Sequence, residues 1–279
     1  MITEDKPSFK GAKMSESINR AFMYGESVFT TMRMIQGELQ DWGIHFERLK
    51  QGVEFVYGPF NEAGEWAILL KNRLEDRLEN ESGDRIIRLT IYLEGTRGVL
   101  RSSLVSINDL QIHLSASPFE TARFEGKQLK LRTCRASSKP SWWPSFLKAG
   151  NYLETILAQK MNLKDDDDDL LFISENETVL ESSIANIFIL RHNTLYTAPA
   201  GPQVLAGVMR RKILSCAHEV FESCKESETT LNQLKKADAV FGSNSVRGLF
   251  LIERIDDHQF VFSQELLEKF EALRSRILR

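Results

Sequence analysis

Residues 87–93 alternate apolar Ile87, Leu89, Ile91 and Leu93 with Arg88, Thr90 and Tyr92, a period of two that suits an extended strand with one buried face. Upstream of it, Phe46, Leu49, Val53 and Val56 recur at helical spacing, which lays an apolar stripe along one side of a helix. The first half of the chain therefore mixes helix and sheet. With 279 residues, 42% of them hydrophobic, the chain exceeds the usual size of one domain, and two are expected.

Between residues 117 and 126 (SPFETARFEG) the periodicity lapses before a strand-like run at 129–132. A linker is expected there, dividing the chain into a smaller α+β domain at 1–120 and a larger one at 121–279. In the second half Leu153, Ile156, Leu157 and Met161 mark a helix, and short β-like runs are separated by polar turns at 174–177 and 191–193, the pattern of hairpins. Two more helical stripes follow, one at Met209, Ile213, Cys216 and Val220, the other at Leu266, Phe270, Leu273 and Ile277 behind Ser263 as a candidate cap. The class is α+β.

A formal net charge of −3 supplies no broad basic field for a nucleic-acid backbone, so no nucleic-acid partner is expected. The three cysteines, Cys134, Cys216 and Cys224, are widely spaced and outside any paired ligand pattern, so reduced thiols in a cytoplasmic setting fit better than disulfides or zinc. The first residues (MITEDKPSFKGAKM) lack a secretory apolar stretch, and no later run reaches the roughly 20 apolar residues needed to cross a bilayer. A soluble protein without a membrane partner is expected. The run at 165–169 (DDDDD) lacks the alternating ligands and turn glycine of a calcium loop, and reads as a solvated turn between helix and strand. No metal is implied.

Four stretches break the apolar pattern with small, polar and charged residues: 24–33, 148–152, 181–186 and 243–248. Loops that carry function often read this way. Lys148 taken alone is an ordinary surface lysine at the start of a helix. Its context says more: YGESVFTTMRMIQGEL with HFERL, then LKAGNYLETILA, VLESSIANIFIL, LAGVMRR and GSNSVRGLF resemble, in order and spacing, the class IV pyridoxal-phosphate-dependent aminotransferase family. The resemblance spans residues 20 to 252.

That resemblance implies a two-domain fold type IV enzyme, similar to D-amino acid aminotransferase, with pyridoxal 5′-phosphate in the cleft between the domains. Lys148 matches the family's Schiff-base lysine, which needs a lowered pKa. Glu181 matches the carboxylate that keeps the pyridine nitrogen protonated. Arg48 resembles the phosphate-binding arginine, whose forked donors suit that anion; His45 beside it reads as structural. Gly207 and Val208 fall where the family offers helix N-terminal N–H groups to the phosphate, with Ser243 and Asn244 as further donors, while Met209 departs from a common hydroxyl residue. Tyr152, four residues after Lys148, is expected on the same side of a helix, positioned to orient the lysine or meet the cofactor's ring oxygen. Phe29, Thr31 and Arg97 are expected near the substrate, Arg97 as partner of a carboxylate.

The family's members share these contacts and differ in the reaction they run. FTTMR at 29–33 and SNSVRG at 243–248 resemble elements of aminodeoxychorismate lyase, which converts 4-amino-4-deoxychorismate to 4-aminobenzoate and pyruvate in folate biosynthesis. The alternative is a transaminase acting on branched-chain or D-amino acids with 2-oxoglutarate. A non-catalytic relative that keeps the fold is a third reading, opposed by the retained Lys148 and Glu181. Departures from the family pattern stand at Asn19, at Glu26-Ser27 and at Leu251-Ile252. A homodimer acting on a small amino substrate is implied, because the family's sites are completed by a neighbouring subunit.

Overall fold

The structure is a computed structural model that describes residues 19–59, 63–79, 83–94, 107–121, 124, 126–136 and 139–277; Arg97 lies outside them. Among the described residues the strands form two sheets. The first is antiparallel, in the order β2-β1-β3-β4, and is built from β1 (Val28–Ile35), β2 (Glu38–Leu39), β3 (Arg85–Leu93) and β4 (Leu110–Pro118). The alternation in β3 points Ile87, Leu89 and Ile91 inward at 0% exposure. Helices α2 (Trp42–Tyr57) and α3 (Ala63–Leu78) supply the facing apolar stripe, with Leu49, Val53, Leu70 and Leu74 in the same buried cluster as Leu89 and Ile91. Each such side chain contributes roughly 1.5–3 kcal/mol on burial.

The second sheet takes in β5 (Leu129–Arg135), β6 (Asp169–Ile173), β7 (Val179–Ser182), β8 (Asn186–Arg191), β9 (Thr194–Thr197), β10 (Ser223–Glu226), β11 (Ala239–Asn244), β12 (Gly248–Ile255) and β13 (His258–Gln259). The path β8-β11-β12-β5-β6-β7 returns on itself where Glu181 of β7 pairs with Asn186 of β8, so these six strands close into a barrel. Strands β6, β8, β11 and the first part of β12 are buried on both faces, which is why they read as near-continuous apolar runs, whereas β5 alternates, with Lys130 and Arg132 on its partly exposed face. In β8, Ile187 and Ile189 face the interior with Leu131, Leu171 and Val240. Phe188 and Leu190 face outward, beneath α5 (Val208–Cys216) and α7 (Gln264–Ile277), with Met209, Ile213, Phe270 and Leu273.

The expected hairpins are present. Glu177 has a left-handed backbone in the β6–β7 turn, as do His192 and Asn193 in the β8–β9 turn, the pair of positive φ values that a tight two-residue connection needs. Ser263 caps α7, its Oγ accepting the Leu266 N–H at 3.2 Å. The aspartate run departs from the solvated turn expected of it. Asp165, Asp166 and Asp168 are exposed, but the Asp167 side chain is 0% exposed and bonds both Arg132 and Arg254 at 2.9 Å, while Asp169 is buried at the head of β6. Cations on the adjacent β5 and β12 hold Asp167 inward, and the neutral donors Ser183 and Gln159 hold Asp169, pairings across elements that a local charge pattern does not reveal.

Candidate active site

The lysine segment joins the two sheets. Residue 149 bridges Val28 at the free edge of β1, the Phe29 N–H donates to the Lys148 carbonyl, and the Gly150 N–H donates to the Ser27 carbonyl, both at 2.9 Å. A β-carbon on Gly150 would overlap Ser27 Oγ, so this close approach requires glycine. The segment is extended, which corrects the helical placing of Lys148 and Tyr152. Helix α4 (Leu153–Asn162) begins only after Tyr152, its N-cap residue. The expected meeting still occurs, because Tyr152 N–H folds back onto the Gly150 carbonyl and Lys148 Nζ donates to Tyr152 Oη at 2.8 Å.

Lys148 looks into a cavity of about 590 Å³ whose walls include Phe29, Thr31, Arg48, Tyr152, Glu181, Gly207, Val208, Ser243 and Asn244. Ten of the eleven residues singled out from the sequence thus lie together around it, and the eleventh, Arg97, is outside the described residues. The Lys148 ammonium is lowered to about 7 from 10.5, first by burial and then by the cation Arg48, with Glu181 opposing. A substantial fraction is therefore free amine near neutral pH, the form that attacks carbonyl carbon. Phe29 lies 4.8 Å beneath Nζ and 5.5 Å from the Tyr152 ring, edge to face.

Glu181 is held from two sides. Its Oε2 accepts the Leu205 N–H at 2.8 Å and Asn186 Nδ2 at 3.2 Å, and Asn186 also donates to the Leu205 carbonyl at 2.9 Å. Burial raises the Glu181 pKa, partly offset by the Leu205 N–H. The carboxylate is thus placed rigidly at the barrel seam and in want of a positive or proton-bearing partner.

Arg48, 9% exposed, donates to Thr30 Oγ1 at 3.1 Å and to the Ala206 carbonyl at 3.5 Å, which sets its guanidinium beside the start of α5. Burial lowers its pKa to about 10, so it stays a cation. Thr30 Oγ1, which accepts from Arg48, also shares a hydrogen bond with His45 Nδ1, 2.6 Å away. His45 is held down at about 3 by burial and by Arg48, a neutral and structural ring as expected. No side chain caps α5, so its first N–H groups are open to an anion. Gly207 is the N-cap, where a β-carbon would overlap Asn186 Oδ1. The Ser243 hydroxyl is buried without a hydrogen-bond partner among the described residues. Asn244 instead shapes the wall, its Oδ1 accepting the Val246 and Arg247 N–H groups at 3.0 and 2.8 Å and its Nδ2 donating to Ile184 at 3.2 Å.

Three contributors escaped the sequence reading. Thr30 is buried between His45 and Arg48, and its strand parity with Val28 and Met32 marks it as inward-facing. Arg88 lies directly across from Thr31 in the β1–β3 register, lines the cavity and stacks 3.6 Å over Phe29. Its register with Thr31 puts the two on the same face of the sheet. Asn186 lay inside a stretch singled out for function, but its bond to Glu181 depends on the barrel closing.

An amine of lowered pKa, a buried carboxylate and an anion pole made by an arginine and a helix N-terminus share one cavity. The family model for amino-transferase class IV matches residues 27–255. The chain belongs to the class IV aminotransferases. Among curated relatives of this class IV chain, the aminodeoxychorismate lyase of Vibrio harveyi is 25% identical over 235 residues, covering 83% of each chain. A D-alanine aminotransferase of Listeria monocytogenes is 26% identical over 248 residues, covering 86% of this chain and 82% of the relative. The crystal structure of 4-amino-4-deoxychorismate lyase from Pseudomonas aeruginosa superposes with a TM-score of 0.77 at 22% identity, over 97% of this chain and 96% of that one. A hypothetical aminotransferase of Mycobacterium tuberculosis, solved in a PLP-bound form, superposes at 0.79 with 15% identity, over 96% and 95%. These superpositions show the fold, the two-domain α+β architecture of fold type IV, and the family makes the chain an enzyme of this class.

Proposed function

We propose that the cavity binds pyridoxal 5′-phosphate and that the enzyme is a lyase converting 4-amino-4-deoxychorismate to 4-aminobenzoate and pyruvate. The residues fit the cofactor: Arg48, the open Val208 N–H at the uncapped start of α5, and the unpartnered Ser243 hydroxyl would hold its phosphate, Glu181 its ring nitrogen, and Lys148 its carbonyl carbon, whereas the Gly207 N–H is already given to the Leu205 carbonyl at 2.9 Å. The relative solved in a PLP-bound form supports the same assignment. When bound, the cofactor supplies an electron sink for negative charge developing on the substrate's α carbon.

The chain's own groups then have distinct tasks. Lys148, available as amine near neutral pH, takes the proton from the substrate carbon that bears the amine and returns it towards the departing pyruvate. Tyr152, a phenol whose pKa burial raises, accepts the lysine's hydrogen bond and fixes its direction. Arg88 offers its guanidinium, held flat on Phe29, to a substrate carboxylate.

The lyase reading rests on one observation: both lyase-like segments border the cavity that holds Lys148, through Phe29 and Thr31 on β1, Ser243 and Asn244 at the end of β11, and Ser245 in the turn after it. The curated lyase relative agrees with it. Transamination of D- or branched-chain amino acids with 2-oxoglutarate is the second reading, favoured by the D-alanine aminotransferase relative. Supplying aminodeoxychorismate to cofactor-loaded enzyme without any keto acid separates the two. Catalytic appearance of 4-aminobenzoate fluorescence supports the lyase, whereas glutamate formed from D-alanine or leucine with 2-oxoglutarate, without that fluorescence, supports the transaminase.

The homodimer belongs to the same reading. Helix α4 buries none of its residues, and its apolar stripe of Leu153, Ile156, Leu157 and Met161 is 67%, 55%, 46% and 80% exposed, beside a cavity that Glu154 and Thr155 of the same helix line. A second copy would cover such a face. The domain boundary at residue 120 is proposed on the break between the sheets, β4 ending at Pro118 and β5 starting at Leu129. A cytoplasmic setting is proposed on the free thiols Cys134, Cys216 and Cys224.

A further inference from the structure

Asp169 is the residue of the aspartate run that is buried as a whole, and its hydrogen bonds come from neutral donors although Arg247 acts on it through space. Its neighbours meet Lys130, Arg132, Arg254 and Lys127, while Asp169, 1% exposed, meets neutral donors only. Ser183 Oγ donates to its Oδ1 in a short bond, Gln159 Nε2 donates to the same oxygen at 3.2 Å and to Ser183 Oγ at 2.8 Å, and Oδ2 is buried without a hydrogen-bond partner among the described residues. Burial raises this carboxyl's pKa, and the Ser183 hydroxyl is the largest influence opposing the rise. A buried carboxyl with one oxygen unmatched is costly, and Arg247 acts on it only through space, without a salt bridge among the described residues.

The three side chains come from three different walls. Gln159 is on α4, whose N-cap is Tyr152, the partner of Lys148. Ser183 follows Glu181 by two residues in the turn leading into β8 and lines the cavity. Asp169 heads β6, behind both. Since α4 buries no residue of its own, an apolar seam does not fix its distance from the turn, and the triangle of hydrogen bonds spans that gap.

We propose that Asp169 is a positioning residue for the active site, whose Oδ1 clamps Gln159 of α4 to Ser183 and so fixes the Lys148–Tyr152 side of the cavity relative to Glu181. This rests on the reading that Lys148 carries pyridoxal phosphate and Glu181 faces its ring. The clamp needs one oxygen acceptor at Oδ1, and asparagine supplies it with its amide nitrogen in the unmatched Oδ2 place. Alanine removes the acceptor and leaves Ser183 and Gln159 to relax.

The test compares the parent protein, Asp169→Asn and Asp169→Ala, each loaded with pyridoxal phosphate and held well below its melting temperature. The visible absorbance of the bound cofactor and its rate of loss into excess buffer are measured. Asp169→Ala is expected to shift the absorbance maximum and to release cofactor faster by on the order of ten-fold, the scale of one hydrogen bond to a charged group, with Asp169→Asn restoring both. The clamp is overturned if Asp169→Ala keeps the parent's absorbance and release rate while only melting earlier, or if Asp169→Asn fails alongside it. A parent protein without a cofactor band defeats the underlying reading instead, before any variant is compared.

Discussion

At the scale of single residues, the site's chemistry turns on Lys148. A lysine held at about 7 rather than 10.5 is protonated below that pH and free above it, so apoprotein should combine with pyridoxal phosphate faster as pH rises through about 7 and level off beyond it. Stopped-flow absorbance checks this; a rate still climbing towards pH 10 would belong to an ordinary exposed lysine. Replacing Arg48 with alanine removes charge-assisted bonds worth roughly 1.5–3 kcal/mol each, so cofactor affinity should fall roughly ten- to a hundred-fold by equilibrium titration. Lys148, Glu181 and Arg48 were legible because each is embedded in a motif of fixed spacing. Thr30 and Arg88 were legible in principle through strand parity, as neighbours in register with residues already singled out. The Asn186–Glu181 bond was not, since it exists only once two strands meet at the barrel seam.

At the scale of elements, the uncapped start of α5 leaves N–H groups that a side chain takes up at an ordinary helix end, and in the proposed site the cofactor's phosphate would take them. Gly207→Ala pushes a β-carbon into Asn186 Oδ1, and Asn186 in turn steadies Glu181. Overpacking of this kind costs roughly 1–3 kcal/mol, so the variant should melt earlier and bind pyridoxal phosphate more weakly, read by thermal melts with and without cofactor. Equal losses in both melts would place the effect in the fold alone. Hydrophobic period located α2, β3, α5 and α7 in the sequence, because each buries one coherent stripe. It misread the segment before α4, where the backbone is drawn out of helix by pairing with β1. It also misread the aspartate run, whose inward members answer to partners distant in sequence, Asp167 to cations on other strands and Asp169 to Ser183 and Gln159.

For the whole molecule, α4 presents an apolar stripe to solvent in the isolated chain, at the rim of the cavity. Covering it with a second copy would both bury that surface and narrow the cavity mouth. Leu157→Glu is expected to yield monomer by light scattering at micromolar concentration where the parent is dimeric, with turnover falling in parallel; a monomeric parent removes the dimer. The two-sheet α+β plan could be read from the sequence, since period and linker composition are local. Barrel closure could not, because it depends on pairings between strands far apart in sequence, Ile252 of β12 beside Leu129 of β5 and Val240 of β11 beside Ile189 of β8. The most direct single measurement is to load the protein with pyridoxal phosphate, reduce it with borohydride, digest it and map the pyridoxyl mass. The label is expected on Lys148 alone, at one per chain; a label spread over surface lysines, or absent, would contradict the assignment of this cavity.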